Sequence, residues 1–312
     1  MVDVSILIVN WNTATVLKDC LQAVLADSGP LRLEVIVIDN ASRDGSGQMV
    51  RALFPNVTLV ENAQNVGFAR GCNQALALAN GRNILLLNPD AVLLSGCLLS
   101  MVRFLDAKPR VGAACPRFLN PDGSPQSFYF RFPGPAIAFF CFTTPGAWLD
   151  RRFGGRTAYR RNYGDLGELK VPTRVDQPGA ACLIIPQKVI DRVGFMDEGF
   201  PLYFNDTDLC RRLYDAGYTI FVVPEARAIH QREASLRQMM ALERYGELVR
   251  GLRRYFHKHG RQPTALVVDS IFAGYCLYRC SRALMGYILR RKTAHEVNRE
   301  WSTYLRAMVG AV

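Results

Sequence analysis

Asn83-Ile84-Leu85-Leu86-Leu87-Asn88-Pro89-Asp90 is an apolar run that ends on a carboxylate. Its aliphatic stretch leaves no polar face, so it reads as a strand covered on both sides. The same pattern recurs upstream. Residues 4–9 (VSILIV) and 33–38 (LEVIVI) are strands by their β-branched content, and 57–60 is a short third one. Helical patterns at 13–26, 45–54 and 68–79 separate them. This alternation predicts an α/β fold, a mostly parallel central sheet with flanking helices. Ligands of such sheets bind at the carboxyl ends of the strands. That rule puts Asn10-Trp11-Asn12, Asp39-Asn40-Ala41-Ser42 and Asn88-Pro89-Asp90 on one rim.

Between about 117 and 175 the regular pattern breaks down. Asn120-Pro121-Asp122-Gly123 is a turn by its chemistry. Phe128-Tyr129-Phe130-Arg131-Phe132 and Phe139-Phe140-Cys141-Phe142 form a dense aromatic stretch, followed by the pairs Arg151-Arg152 and Arg160-Arg161. A long irregular excursion within a domain is usually functional or disordered. An acceptor or membrane-facing lip and a buried satellite cluster both fit. Residues 176–186 (DQPGAACLIIP) resume as a core strand, and 219–223 form another. Helices are expected over 236–257 and 265–291. The second is apolar despite Asp269, Arg279 and Arg282 inside it.

A hydrophobic fraction of 49% with 21% charged residues marks an ordinary globular chain and excludes a disordered one. Of the net +11, residues 227–312 hold +10, with 16 Lys/Arg against 6 Asp/Glu. Such a basic segment suits an anionic surface, either lipid or nucleic acid. Nine scattered cysteines show no CxxC pair and no zinc spacing, which fits packed thiols in a reducing cytoplasm. Cys276 and Cys280, one helical turn apart, read the same way. Met1-Val2-Asp3-Val4-Ser5 leads directly into a strand, so no signal peptide is expected. No apolar run reaches the length of a membrane span.

Several acids sit where chemistry could use them. Asp39 at a strand tip could accept hydrogen bonds from a nucleoside, or could cap the next helix. Asp90, isolated at its rim, would face a desolvation cost that a divalent cation relieves. Leu202-Tyr203-Phe204-Asn205-Asp206-Thr207-Asp208 places further carboxylates at the start of a helix, where one could take a proton from an attacking hydroxyl. Arg70, after the turn at Asn65-Val66-Gly67, could meet a diphosphate or simply face solvent. His230 alone reads as a satisfied core or surface residue.

As a set these motifs resemble glycosyltransferase family 2, whose members have the GT-A fold. The matching residues are Ile8-Val9-Asn10-Trp11-Asn12, Val37-Ile38-Asp39-Asn40-Ala41-Ser42, Asn65-Val66-Gly67-Phe68 and Leu87-Asn88-Pro89-Asp90. They continue through Gly179-Ala180, Gly194-Phe195-Met196-Asp197-Glu198, Tyr203-Phe204-Asn205-Asp206-Thr207-Asp208-Leu209-Cys210, Arg212-Leu213 and Gly217-Tyr218. The nearest subgroup is similar to the bacterial rhamnosyltransferases of O-antigen and cell-wall glycans. The resemblance implies an inverting transfer from a nucleotide-diphosphate sugar. It implies that Asn10, Trp11, Asn12, Asp39, Asn40, Arg70, Asn88 and Asp90 bind that donor. Asp90 and His230 would hold Mg2+ or Mn2+, Asp206 would be the general base, and Asn205, Asp208, Gly179 and Ala180 would support the acceptor side. The chain departs from the pattern at Asn205, usually Glu, and at Asn88, the first acid of the metal motif.

By the resemblance, residues 1–235 form the GT-A domain, with a nucleotide-sugar half at 1–116 and an acceptor half at 117–235. Residues 236–312 are then a basic helical extension. The expected donor is dTDP-rhamnose and the acceptor a polyprenyl-diphosphate-linked or other glycan; galactofuranose, glucose or GlcNAc are the alternative sugars. A non-catalytic scaffold derived from a transferase remains the rival reading. A Rossmann oxidoreductase is excluded because Asn10-Trp11-Asn12-Thr13-Ala14-Thr15-Val16 contains no glycine. Peripheral attachment to the inner face of the cytoplasmic membrane is expected through the C-terminal helices, with no nucleic-acid partner. A homodimer interface or core packing for 265–289 is the competing expectation.

Overall fold

Seven consecutive residues of the first strand, β1 (Val2–Asn10), are buried, so it sits mid-sheet as its apolar run requires. β2 (Leu33–Asp39) and β4 (Gly81–Leu87) flank it in parallel, and β3 (Thr58–Glu61) pairs in parallel outside β2. Helices α1 (Ala14–Ala26), α2 (Ser46–Leu53) and α3 (Phe68–Leu76) form the crossovers. Ile84, Leu85, Leu86 and Leu87 are each at most 1% exposed. Such burial contributes about 1.5–3 kcal/mol per side chain. β4 can start where it does only because residue 81 is glycine: a Cβ there would lie 2.4 Å from Ser5 N.

The computed structural model describes residues 1–126, 129–153, 169–200, 202–231, 241–260 and 262–309. Phe128, Arg160-Arg161 and the expected helix start at 236–240 lie outside the described residues. The remaining elements are β5 (Ala91–Leu93), α4 (Cys97–Ala107), β6 (Val111–Leu119), β7 (Tyr129–Phe130), α5 (Ala136–Phe142) and α6 (Thr144–Arg152). They are followed by β8 (Thr173–Val175), β9 (Gln177–Pro178), β10 (Cys182–Pro186), α7 (Gln187–Val193), α8 (Asn205–Asp215) and β11 (Thr219–His230). Last come α9 (Ala241–His259), α10 (Gln262–Ile288) and α11 (Ala294–Val309).

Among the described residues the main sheet runs β3-β2-β1-β4-β10-β6-β11-β5, with β8 also on β11, and β7-β9 is a separate ribbon. β10 lies antiparallel to β4. Two sequence readings are corrected here. The expected single strand over 176–186 is two strands, because Gly179, Ala180 and Ala181 leave the ladder between β9 and β10. The strand expected at 219–223 continues to His230. Pro224 cannot donate to the ladder, and the register shifts between Val223 and Arg227, after which pairing with β6 resumes. His230 is therefore the last residue of a central strand, opposite Ala91 of β5.

The chain divides into two compact units: Met1–Arg131, Gly164–Glu198 and Asp206–Gln238 in the first, and Phe132–Tyr163, Gly199–Asn205 and Met239–Val312 in the second. The first contains the sheet. In the second, Phe200, Leu252 and Val268 are fully buried in a core shared with Ala138, Tyr255 and Phe272. The aromatic stretch is split between the units. Tyr129 is buried in the first, its hydroxyl donating to Pro116 O at 3.2 Å. Phe142, half-buried, packs edge-on to Phe272 at 6.2 Å in the second. α10 tolerates its charges because they have partners: Asp269 accepts from Arg253 at 2.7 Å, and Arg279 lies over the Tyr304 ring.

Candidate active site

Asn10 and Asp39 are the closing residues of β1 and β2 and face one another in register. Both are buried. Asn10 Nδ2 donates to Asp39 Oδ1 at 2.6 Å and to Ser42 Oγ at 3.1 Å. Ser42 returns two bonds to the same carboxylate, from Oγ at 2.6 Å and from its N–H at 3.0 Å. The Asp39 carboxylate thus orders its own loop. Asn12 joins it through its backbone N–H to Ser42 Oγ at 2.8 Å and through Oδ1, which accepts from Arg43 N at 2.7 Å. Asn12 and Ala41 both have positive φ, +51° and +59°. Asparagine tolerates that region, whereas for alanine it is strain of about 1–3 kcal/mol held by the surrounding bonds. Asn40 is tied to the next loop by Nδ2 to Gly67 O at 3.3 Å. Trp11 is half-buried, and Arg70 is exposed on the first turn of α3.

Asp90 follows β4 on the same edge of the sheet and is buried. Its Oδ1 lies 3.5 Å from His230 Nε2. The backbone joins the two residues as well, since Gln231 N donates to Asp90 O at 3.0 Å. His230 Nδ1 lies 3.0 Å from Gln126 Oε1, and the imidazole packs on Phe118 with centroids 5.9 Å apart. Among the described residues no cluster of three or more His, Cys, Asp or Glu could hold a metal ion. Asp90 and His230 are two donors of the right chemistry, and a diphosphate would supply the remaining oxygens. The fit is good: a histidine ligand typically has its second nitrogen held by another polar group, as Nδ1 is here.

Asp206 opens α8. Its Oδ2 accepts from Ala180 N at 3.3 Å and its Oδ1 from Thr207 N at 2.8 Å. Desolvation pushes its pKa above the ordinary 3.8 against the downward pull of those bonds. The neighbouring Ala181 O accepts from Asn88 N at 2.9 Å. The two residues just before β10 therefore hold Asp206 (Ala180) and the loop after β4 (Ala181), which brings Gly179-Ala180, Asn88 and Asp206 together. Asp208 faces elsewhere. It is fully buried and accepts from Arg212 Nε at 2.9 Å, while the same guanidinium donates to Val193 O at 2.7 Å and Phe195 O at 2.5 Å. This charge-assisted set fixes the 193–195 turn. Asn205 is buried and donates to Leu202 O at 3.2 Å. Phe204 before it has φ +69°, a strained position for an aromatic residue.

Two participants escaped sequence reasoning. Ser42 belongs to a quoted motif, but its role as the hub of the Asn10–Asp39 loop depends on a contact across 32 residues. Gln126 touches His230 across 104 residues and carries no local signal.

The family model for glycosyl transferase family 2 matches residues 5–163. The N-acetylglucosaminyl-diphospho-decaprenol L-rhamnosyltransferase of Mycobacterium tuberculosis is 26% identical over 219 residues, 65% of this chain and 68% of the relative. Among solved structures, GalNAc-T7 with UDP, GalNAc and Mn2+ superposes with a TM-score of 0.59 at 13% identity over 98% of this chain. This chain spans 55% of that protein's length. The mannosyltransferase PcManGT of Pyrobaculum calidifontis, in complex with GDP-Man and Mn2+, gives a TM-score of 0.54 at 16% identity, covering 99% of this chain and 85% of that one. The chain belongs to glycosyl transferase family 2 and is a glycosyltransferase of GT-A fold.

Proposed function

We propose that this glycosyltransferase moves a sugar from a nucleotide-diphosphate donor to a hydroxyl of a lipid-linked glycan, inverting the anomeric carbon. The favoured donor is dTDP-rhamnose, on the strength of the rhamnosyltransferase relative; galactofuranose, glucose and GlcNAc are the alternatives. One observation carries the reading. The loops after β1, β2 and β4 open on one sheet edge, and the entry to β10 ties the last of them to Asp206. Asn10, Asn12 and Asp39 shape the nucleoside side, with Trp11 and Asn40 beside them and Arg70 as the cation available to the diphosphate. Asp90 and His230 would hold Mg2+ or Mn2+, which when bound neutralises charge on the leaving diphosphate. Inversion needs one displacement, with the base on the acceptor side. Asp206 accepts the hydroxyl proton there, and its upward-shifted pKa makes it a better base than a solvated carboxylate.

A thermal-shift panel of dTDP-, UDP- and GDP-sugars with Mn2+ tests this, since a ligand of the native state raises apparent stability. dTDP-rhamnose should give the largest shift. No shift with any donor would refute the reading.

The same proposal places the enzyme peripherally on the inner face of the cytoplasmic membrane. No helix among the described residues is long and apolar enough to cross one. α10 exposes Leu277, Leu284, Met285 and Ile288, and exposed Arg290 and Arg291 follow. An apolar face with adjoining cations binds anionic lipid through apolar burial plus about 1 kcal/mol per basic residue. The full chain should sediment with anionic vesicles, and a variant carrying Leu284→Ser and Ile288→Ser should not. Equal sedimentation of the two would defeat the membrane reading. Loss of a dimer in the variant without vesicle binding by either would assign the face to a homodimer.

A further inference from the structure

Gln126 is 3% exposed, and its backbone N–H is held by Phe118 O at 2.9 Å. Its side-chain nitrogen has two acceptors, Asn120 Oδ1 at 2.9 Å and the His230 carbonyl oxygen at 2.9 Å. Asn120 is in turn oriented by donation from its own Nδ2 to Ser124 Oγ at 2.9 Å. Both partners of the Gln126 nitrogen only accept, so the amide can point only one way. Its oxygen, Oε1, must face His230 Nδ1 at 3.0 Å. An amide oxygen cannot donate, so Nδ1 carries the proton. In the neutral ring Nε2 then presents a lone pair to Asp90 Oδ1, 3.5 Å away. Two acceptors in that arrangement repel each other, and a shared cation removes the repulsion.

We propose that Gln126 is a positioning residue for the transfer reaction. It holds His230 in the Nδ1–H form, so that Nε2 and the Asp90 carboxylate face one divalent cation. Phe118, packed on the imidazole, opposes rotation of the ring out of this arrangement. The inference rests on the metal reading given under Proposed function and adds the residue that sets the ligand's tautomer.

The test has two readouts on the full chain. The first is the proton on His230 Nδ1, read by long-range 1H–15N correlation on histidine-labelled protein without metal. With four histidines in the chain, His230→Asn assigns the signal. The second is the affinity for Mn2+ in the presence of dTDP, by calorimetry. Wild type should show a protonated Nδ1. Gln126→Leu should populate the Nε2–H tautomer and weaken Mn2+ about 10–100-fold, the usual effect of losing a residue that orients a ligand. A cooperative thermal transition in Gln126→Leu, with Tm close to wild type, guards against a folding defect in that variant. A wild-type Nδ1 without a proton, or a folded leucine variant with unchanged tautomer and Mn2+ affinity, would overturn the proposal. Unchanged Mn2+ affinity in Asp90→Ala would instead refute the metal reading while the tautomer result stood apart from it.

Discussion

At the sheet rim the Asp39 carboxylate accepts three hydrogen bonds from Asn10 and Ser42, all at 3.0 Å or less. In the helical unit rings add to the hydrogen bonding: Phe204 packs on Tyr255 at 6.3 Å and Phe200 lies under Arg254 at 5.2 Å, beside the Asn205 bond to Leu202 O at 3.2 Å. Hydrogen bonds with fixed directions make a loop that keeps its shape before ligand arrives. Packed rings fix position but leave direction softer. The contrast suits the proposed donor pocket, whose shape must be set before ligand arrives.

The largest expected effect concerns Asp206. Asp206→Asn should lower kcat by about 10²–10⁴, the scale of general-base assistance, with donor affinity within a few-fold of wild type. Because desolvation raises its pKa, the acid limb of kcat against pH should fall at a value above 3.8 and vanish in the variant. A variant with near-normal turnover would move the base to another group. At the rim, Asp39→Ala leaves the buried Asn10 amide and Ser42 without their main acceptor and should cost about 3 kcal/mol, seen as a lower urea midpoint. A cost near zero would mean that this loop is not preorganised by Asp39.

In the helical unit the probe is Gly251 of α9. A Cβ there would meet Tyr203 O at 2.7 Å and Phe204 Cδ2 at 2.9 Å. Gly251→Ala should therefore cost about 1–3 kcal/mol by overpacking, read as a fall in Tm. A neutral result would show that the 203–204 turn yields more readily than its contacts suggest. The smallest effect is electrostatic. Burial works against ionisation of Asp269, but bonds from Arg253 and His257 outweigh it and hold its carboxyl below 3.8. A depressed acid stabilises the fold above its unfolded value and loses that contribution as pH falls through the folded one. Asp269→Asn should remove a slight part of the chain's stability at pH 7 and flatten its acid dependence below about 4.

The sheet was legible because β1, β2 and β4 are buried on both faces and carry uninterrupted aliphatic runs; their ends at Asn10, Asp39 and Leu87 marked the rim. His230 was harder to place. Pro224 and the bulge that follows disguise one long strand as a short one, so the residue fell beyond the expected strand end. α11 gave no clear pattern beside the longer apolar α10 that precedes it. Gln126 was invisible for a different reason: its contacts are with Asn120, Phe118 and His230, and only folding brings the last of these to it.

The claim at the centre of this account is that the strand rim grips the donor diphosphate through a cation on Asp90 and His230. A crystal structure of the full chain with Mn2+ and dTDP tests it most directly. The account predicts an Asp90 oxygen and His230 Nε2 both in direct contact with the ion, at about 2.1–2.3 Å. An ion held by the diphosphate with Asp90 more than about 4 Å away, beyond any direct bond, would contradict it.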